Sequence, residues 1–154
     1  MKNDFAREYA QEQLNTRNYH EAEDRNDEAG MQAARDAHKA WSEAIDAKGQ
    51  DYANLYHLYQ DAQDRGNELI DISEVVWDEK VEALIASFRK YGIERFTFSS
   101  GWSSAVETAW LFTQQGCKLE GLIEINGRCK AFMSNGYEKK HGYLFSVCDD
   151  ASHS

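Results

Sequence analysis

The sequence predicts an α+β protein in which the helices come first and a small sheet follows. Apolar residues recur at helical spacing up to residue 92, and the pattern then changes to the shorter period of strands. Helices and strands that are segregated in this way are typical of an α+β fold with a mainly antiparallel sheet. We expect one compact domain overall, with an acidic helical region (1–92), a small α+β unit (93–150) and a polar tail (151–154).

The first helical segment covers residues 4 to about 48, and much of it carries a stripe of small residues. The stripe consists of Ala22, Ala29, Ala33, Ala37, Trp41 and Ala44. Small side chains let a second helix approach closely, so the segment is either a helical hairpin or a long arm. The run around Gly30 would break or kink this segment, and Gly49 would end it.

Two further helices are predicted in the helical region. One covers about 51–65 and ends before Gly66, and the other covers about 72–91 and ends before Gly92. The apolar face of the first consists of Tyr52, Leu55, Tyr56, Tyr59 and Ala62. The apolar face of the second consists of Trp77, Val81, Leu84, Phe88 and Tyr91. At about 100° per residue, each set falls on one side of its helix.

After residue 92 the chain predicts the order β-α-β-β-β. The predicted strands are 93–99, 118–125, 128–133 and 142–148, and the helix is 102–115, ended by Gly116. Asn126-Gly127 is a strong signal for a type I′ turn, which would join the second and third strands as a hairpin. On the helix, Trp102, Val106 and Trp110 would lie against the sheet.

The formal net charge is −10 and is unevenly placed. Residues 1–95 carry 21 Asp or Glu and 12 Lys or Arg, whereas residues 96–154 carry 6 and 5. Direct binding to nucleic acid or to an anionic membrane needs a basic surface, so we expect neither. The charge favours a partner with a basic groove, and the alternative is an acidic protein whose charge serves solubility alone.

Cysteines, histidines and the N-terminus give no sign of export or of a metal site. Cys117, Cys129 and Cys148 are an odd number without a C-x-x-C pair, which indicates reduced thiols in a cytosol. No signal peptide or membrane-spanning run is present, so we expect a cytoplasmic protein. No histidine or cysteine has metal-ligand spacing, and we expect no metal and no cofactor.

The turn SSGWSS (residues 99–104) lies between a predicted strand and a predicted helix. Residues 101–105 have the form G-x-S-x-A, one residue from a nucleophile elbow, and His141 and Asp149 follow Ser103 in the chain. The alternating strands and helices that support such an elbow are absent. A phosphate cradle would need a glycine-rich motif that is also absent.

The interpretation that we favour for this turn is structural. Ser99, Ser100 or Ser103 would cap the helix with its hydroxyl, and Gly101 would supply an unusual dihedral angle. We therefore predict that the protein is not an enzyme, with a hydrolase based on Ser103 as the remote alternative.

Two acidic clusters are the candidate partner-binding residues. The first consists of Glu21, Glu23, Asp24, Asp27 and Glu28. The second consists of Asp71, Glu74, Asp78 and Glu82, which would form one stripe on the third helix. Carboxylates in such a stripe lie about 5–6 Å apart along the helix, which is of the order of the phosphate spacing in DNA. Each cluster either imitates a row of phosphates or is an ordinary solvated helix face.

The stretch RFTFSSGWSSAVETAWLFTQQGCKLEGLIEING (95–127), together with GYLFSV (142–147), resembles small acidic, largely uncharacterised proteins of phages and mobile elements of gut bacteria. Such proteins often inhibit host defences, and anti-CRISPR proteins are the best-known class. The resemblance implies a non-enzymatic inhibitor of a defence protein that handles nucleic acid, with a Cas9-type effector as the expected target. The alternative is an adaptor or regulatory protein of a mobile element that binds a partner through Tyr52, Tyr56 and Tyr59.

Overall fold

The structure is a computed structural model that describes residues 3–74, 76–132 and 136–148. It confirms the α+β class. The elements are α1 (Phe5–Asp24), α2 (Glu28–Asp46), α3 (Gln50–Asp64), β1 (Asp71–Ile72), α4 (Asp78–Lys90), β2 (Arg95–Phe98), α5 (Ala105–Gln114), β3 (Cys117–Lys130) and β4 (Tyr137–Val147). The backbone contacts divide the chain between Tyr56 and His57 rather than at residue 92. We call residues 3–56 the hairpin unit and residues from 57 onward the α+β unit.

In the hairpin unit, α1 and α2 pack against each other as a helical hairpin, one of the two predicted arrangements. The chain breaks at Asn26, which has a φ of 55°, and the Asp27 amide donates to the Ala22 carbonyl at 2.8 Å. Asp27 then caps α2, because its carboxylate accepts a hydrogen bond from the Gly30 amide at 2.9 Å. The break predicted in the run around Gly30 (26–31) is confirmed; it occurs at Asn26, and Gly30 itself lies inside the first turn of α2.

Gly30 is required at this position because there is no space for a side chain. A Cβ atom at this position would collide with the Asp27 carboxylate and would come within 3.0 Å of the Ala22 Cβ. The glycine thus makes room for the cap and for the close approach of the chain to the end of α1.

The buried face of α2 is not the predicted stripe of small residues. Met31, Ala34 and Ile45 are buried, whereas Ala29, Ala33, Ala37 and Ala44 are exposed. The larger apolar side chains remove more apolar area from water than alanines do, so the helix is rotated to bury them.

The core of the hairpin unit is aromatic. The Phe5 ring lies 5.0 Å from the Tyr52 ring and 6.0 Å from the Tyr56 ring, and Trp41 meets Tyr56 edge-on at 5.5 Å. Tyr52 and Tyr56 are fully buried, and Tyr59 is half-buried. The predicted docking surface of Tyr52, Tyr56 and Tyr59 is therefore wrong, since two of its three members lie in a core.

The α+β unit contains a four-stranded sheet in the order β1-β2-β4-β3, in which β1 and β2 are parallel and the other pairs are antiparallel. Both long strands of the β3–β4 hairpin run past the predicted turn. Asn126 and Gly127 lie inside β3, so the predicted Asn-Gly turn is wrong. The chain reverses after residue 130 instead, and residues 133–135, including Met133 of the predicted return strand, lie outside the described residues.

The third predicted helix is shorter than expected at its N-terminal end. The chain at Asp71–Ile72 is a strand, because the Thr97 and Ser99 amides donate to the Ile70 and Ile72 carbonyls, each at 2.9 Å. Helix α4 begins at Asp78, and Trp77 just before it is 62% exposed rather than part of the core. The predicted helix ends are confirmed at Gly49, Gly66, Gly92 and Gly116, all of which have positive φ.

Five phenylalanines form the core between the sheet, α4 and α5. Their ring centroids lie 5.0–5.4 Å apart in five pairs. The residues are Phe88, Phe96, Phe98, Phe112 and Phe145, each 0–1% exposed. This cluster fixes the side of α5 that faces the sheet, because Phe112 and Thr108 are its buried residues.

The opposite side of α5 carries the residues that the sequence assigned to the core. Trp102, Val106 and Trp110 are 71%, 75% and 60% exposed. At about 100° per residue, Val106 and Trp110 are centred roughly 160° away from the direction of Thr108 and Phe112, and Trp102 lies in the turn just before α5. The predicted packing of these three residues on the sheet is therefore wrong, and we call them the α5 outer face.

No helix in the described parts of the chain has the length and apolar character needed to cross a bilayer.

Candidate functional site

The first acidic cluster lies where α1 ends and α2 begins. Glu21, Glu23, Asp24 and Glu28 are exposed, and Asp27 is partly exposed. Among the described residues, two basic side chains lie beside the cluster: His20 Nδ1 is 3.7 Å from Glu23, and Arg25 is 3.6 Å from Asp27. We call these five acidic residues the acidic corner.

The acidic corner contains two kinds of carboxylate. Asp27 and Glu28 lie at the N-terminus of α2, where a cap and the positive end of the helix dipole stabilise negative charge. Glu21, Glu23 and Asp24 lie in the last turn of α1, which holds no basic residue, and there they meet the negative end of the dipole. Each such carboxylate costs about 0.3–1 kcal/mol of stability. Helix stability therefore explains Asp27 and Glu28 but does not explain the other three.

The second acidic cluster does not form the predicted stripe. Asp71 is buried in β1, Glu74 precedes the helix, and only Asp78 and Glu82 lie on α4. Asp78 is in the first turn of α4, where the helix dipole favours it. The surface that remains consists of exposed Glu74, Asp78 and Glu82. The prediction of four carboxylates in one row is wrong, because Asp71 faces the interior.

Asp71 belongs to a buried polar cluster that the sequence analysis missed. Its carboxylate accepts hydrogen bonds from the Thr97 and Ser99 hydroxyls, both at 2.7 Å, and lies 3.6 Å from the Arg65 guanidinium. The side chains of Arg65 and Asp71 are 3% and 0% exposed. The two hydroxyls and the guanidinium compensate for the solvation that the Asp71 carboxylate loses on burial, which a buried charge requires.

The same cluster continues to β3. Arg65 donates to the Asn126 carbonyl at 3.0 Å and to Asp61 at 2.8 Å. The Asn67 side chain bonds both the amide and the carbonyl of Asn126, each at 2.9 Å. These bonds hold Asn126 in an extended strand and explain why no turn forms there. The sequence signal was an aspartate between two isoleucines, Ile70 and Ile72, which indicates a polar group inside an apolar strand.

Among the described residues, no hydroxyl of the SSGWSS turn is hydrogen-bonded to a histidine. Ser99 is engaged with Asp71, and the Ser100 hydroxyl accepts from the Trp102 amide at 3.3 Å. Within the described residues, Ser103 and His141 are exposed and make no side-chain hydrogen bond, and Asp149 lies outside those residues. A serine nucleophile needs a base within hydrogen-bond reach.

The predicted cap at this turn is also wrong. The N-cap residue of α5 is Ser104, and its side chain makes no capping hydrogen bond. Gly101 does not have a positive φ. No atom of another residue lies within 4 Å of the position that a Cβ would occupy there.

The three thiols differ in their exposure to solvent. Burial raises the pKa of the Cys117 thiol to about 12, so this residue is a protonated apolar group at neutral pH. Cys129 is exposed and Cys148 is half-buried. In the part of the chain that the structure describes, no group of three or more His, Cys, Asp or Glu residues could hold a metal ion.

Comparison with known proteins places the chain in a family. The model of a family described as a domain of unknown function (DUF7698) matches residues 54–147, so the chain belongs to that family. No curated protein and no solved structure matches the chain. The matched segment begins close to the boundary between the two units and leaves the acidic corner outside it.

Proposed function

We propose that this member of the DUF7698 family is a non-enzymatic inhibitor that binds a basic groove of a nucleic-acid-handling protein in the cytoplasm of a bacterial host. The observation that carries the proposal is the set of exposed carboxylates at Glu21, Glu23 and Asp24, placed against the dipole of α1. Carboxylates that lower the stability of their own helix are expected to have a role other than stabilising the fold. Electrostatic attraction to a positively charged partner is such a role.

The hairpin unit supplies the charge for this role. Residues 3–56 carry 12 Asp or Glu and 6 Lys or Arg, whereas residues 57–148 carry 13 and 10. A negative excess on one unit speeds the encounter with a basic groove and makes the association rate depend on salt. The target that we propose is a Cas9-type effector, whose channel for nucleic acid is positively charged. The proposal needs no cofactor, metal ion or direct contact with nucleic acid.

The test is inhibition of DNA cleavage by a Cas9-type effector loaded with guide RNA. Lysine is introduced at Glu21, Glu23, Asp24 and Glu28, and Asp27 is kept because it caps α2. A control variant carries lysine at Glu43, Asp46, Glu94 and Glu107, which are also exposed and give the same change in net charge. We expect the first variant to lose inhibition by at least about tenfold, since several close charge contacts are lost.

The control variant decides whether position matters. We expect it to inhibit almost as well as the unmodified protein. Equal inhibition by all three proteins would show that the acidic corner does not bind the target. If the unmodified protein does not inhibit cleavage, the Cas9-type effector is not the target.

A second candidate function is an adaptor of a mobile element that binds its partner through apolar contacts. The observation that favours it is the α5 outer face, since Trp102, Val106 and Trp110 are more than half exposed. Large aromatic side chains of this kind often anchor protein interfaces. Partner capture that is insensitive to salt and is lost in a Trp102→Ser, Trp110→Ser variant would favour the adaptor over the inhibitor.

A further inference from the structure

The sheet of the α+β unit ends in a long strand whose outer edge is open over part of its length. In the order β1-β2-β4-β3, strand β3 lies at one edge, and among the described strands it pairs with β4 alone. The unpaired amides and carbonyls of an edge strand are a template for pairing with a further strand. The register of β3 on β4 decides which of these backbone groups are free.

The backbone of β3 faces alternately toward β4 and away from it. Asn126 faces away, because its amide donates to the Asn67 side chain at 2.9 Å and its carbonyl accepts from Asn67 and Arg65. The register with β4 is regular from Leu122 to Asn126, so Leu122 and Glu124 face away as well. Among the described residues, no group bonds the amides of Leu122 and Glu124. The open part of the edge therefore lies on the N-terminal side of Asn126.

An exposed apolar strip lies beside this open edge, on the side of the sheet that carries α5. Leu119 is paired with Phe145, and Leu122 is paired with Tyr143, so all four side chains share the face of the phenylalanine core. Helix α5 covers Phe145 with Phe112, at 5.4 Å between the ring centres. Leu119, Leu122 and Tyr143 remain 49%, 60% and 45% exposed, and we call them the β3 strip. Exposed apolar side chains that lie together are typical of a surface that binds another chain.

The charges along the open edge are complementary to those of the same edge in the reverse direction. Lys118 lies at one end of the open edge, and Glu124 lies at the other. When two copies pair antiparallel about Leu122, the Lys118 end of one strand lies beside the Glu124 end of the other, at both ends of the contact. Glu120, between them, accepts a hydrogen bond from the Ser146 hydroxyl at 2.8 Å. A second β3 therefore offers the edge both an apolar strip of the same size and the opposite order of charges.

The α+β unit also repels a second copy less than the hairpin unit does. Residues 57–148 carry 13 Asp or Glu and 10 Lys or Arg, a net charge of −3. Residues 3–56 carry 12 and 6, a net charge of −6. Self-association of an acidic chain is opposed by its own charge, so a contact between α+β units is the less costly one.

We propose that two copies of this chain pair through their β3 edges, so that the two four-stranded sheets continue into each other across a two-fold axis at Leu122. At the axis, the Leu122 amide of each copy donates to the Leu122 carbonyl of the other, and the two β3 strips lie side by side. Such a contact is at the low end of specific interfaces, so the dimer is weak. It is independent of the proposed inhibition, because neither the acidic corner nor the α5 outer face takes part in it.

The test is sedimentation equilibrium of the full-length protein, from about 20 µM to 1 mM at physiological ionic strength. We expect a monomer–dimer equilibrium with a Kd of about 10–300 µM. Leu122→Lys should weaken the dimer at least about tenfold, because two ammonium groups would meet at the axis. Leu14→Lys is the matched control, since Leu14 is 40% exposed on α1, and this variant should dimerise like the unmodified protein.

An exchange of charges tests the antiparallel register. Lys118→Glu should weaken the dimer at least about threefold, because like charges then meet at both ends of the contact. The double variant Lys118→Glu, Glu124→Lys restores opposite charges at both ends and should dimerise about as well as the unmodified protein. If the double variant is as weak as the single one, the strands do not pair about Leu122.

Hydrogen exchange of single amides, followed by NMR, locates the contact. Exchange at Leu122 and Glu124 should slow at least about twofold between about 50 µM and 1 mM protein, because a second strand covers these amides in the dimer. The Asn126 amide is the internal control. It already donates to Asn67, so its exchange should be slow at every concentration.

Two results would overturn the proposal. If the protein is monomeric up to about 1 mM, the β3 edge does not pair with a second copy. If a dimer forms while exchange at Leu122 and Glu124 does not change with concentration, or if Leu122→Lys dimerises as well as the unmodified protein, the dimer uses another surface.

Discussion

The hairpin unit and the α+β unit differ in the interactions that stabilise each of them internally. The α+β unit has a cluster of five buried phenylalanines and a buried polar cluster in which Asp71 and Arg65 are compensated. The hairpin unit has a smaller aromatic core and also retains a buried amide atom without a partner. The family match covers the α+β unit almost completely. The α+β unit also has one buried atom without a hydrogen-bond partner, Arg65 Nε. The clear difference between the units is therefore that the exposed carboxylates which helix stability does not explain, Glu21, Glu23 and Asp24, belong to the hairpin unit.

The largest effect should come from removing a charge inside the α+β unit. In Asp71→Ala, the Arg65 guanidinium stays buried and loses its nearest buried carboxylate. We expect a loss of about 3–5 kcal/mol in the free energy of unfolding, because the buried ion pair is broken, the Thr97 and Ser99 hydroxyls lose their acceptor and Arg65 keeps only Asp61 as a carboxylate partner. Urea unfolding followed by tryptophan fluorescence measures it. The double variant Asp71→Leu, Arg65→Met should recover part of the loss, and a loss below about 1 kcal/mol in Asp71→Ala would show that the cluster contributes little.

A smaller effect is expected at the break of the hairpin. Gly30→Ala places a Cβ against the Asp27 carboxylate and the Ala22 side chain. The cap of α2 would be displaced, and we expect a loss of about 1–2 kcal/mol in thermal or urea unfolding despite the higher helix propensity of alanine. Ala29→Gly in the same turn is the comparison, since it lowers propensity at an exposed position without a collision. A more stable Gly30→Ala protein would contradict the close approach seen here.

The core of the hairpin unit should weaken at alkaline pH. Burial and a hydrogen bond to Glu8 raise the pKa of Tyr52 above its usual value of 10.0. A hydrogen bond to Glu8 likewise raises the pKa of Lys48 above 10.5. Above these usual values the folded state holds protons that the unfolded state has released, so stability is complete below about pH 10 and falls as the pH rises.

Tyr52→Phe tests this assignment. It removes one titrating group and the bond to Glu8, so we expect about 1 kcal/mol less stability at pH 7 and a shallower decline between about pH 10 and 12. Tyr143→Phe, at an exposed tyrosine of β4, is the control. A decline as steep as in the unmodified protein would place the alkaline sensitivity elsewhere.

The smallest effect per substituted residue has the opposite sign. Neutralising Glu21, Glu23 and Asp24 to their amides removes negative charge from the C-terminal end of α1. We expect the melting temperature to rise, with a gain of about 0.3–1 kcal/mol for each residue at low salt. The same change at Glu28 should lower stability, because Glu28 lies at the N-terminus of α2. If the variant with amides at Glu21, Glu23 and Asp24 is less stable than the unmodified protein, these carboxylates stabilise the fold, and partner binding is not needed to explain them.

The local features of the fold could be predicted from the sequence. The four glycine helix ends and the α+β class follow from short-range rules, and they are confirmed. The hairpin could be predicted only as one of two arrangements, because the residue that breaks it, Asn26, adopts a positive φ that the sequence signals less clearly than glycine does.

The errors have tertiary causes. The Asn-Gly turn is overridden by hydrogen bonds from Arg65 and Asn67, which lie 61 and 59 residues away along the chain. Asp71 could not be removed from the acidic stripe without knowing that β1 pairs with β2. Helix α5 is apolar on both sides, so periodicity alone could not decide whether Phe112 or Trp110 faces the sheet.

The central claim is that the acidic corner attracts the partner while the α+β unit serves as the scaffold. The most direct measurement is the association rate with a Cas9-type effector between about 0.05 M and 0.5 M ionic strength, since salt over this range screens exposed charges strongly. The account predicts a steep fall for the unmodified protein and for the control with lysine at Glu43, Asp46, Glu94 and Glu107. It predicts a slow, nearly flat profile for the variant with lysine at Glu21, Glu23, Asp24 and Glu28. The same steep profile for all three proteins would contradict it.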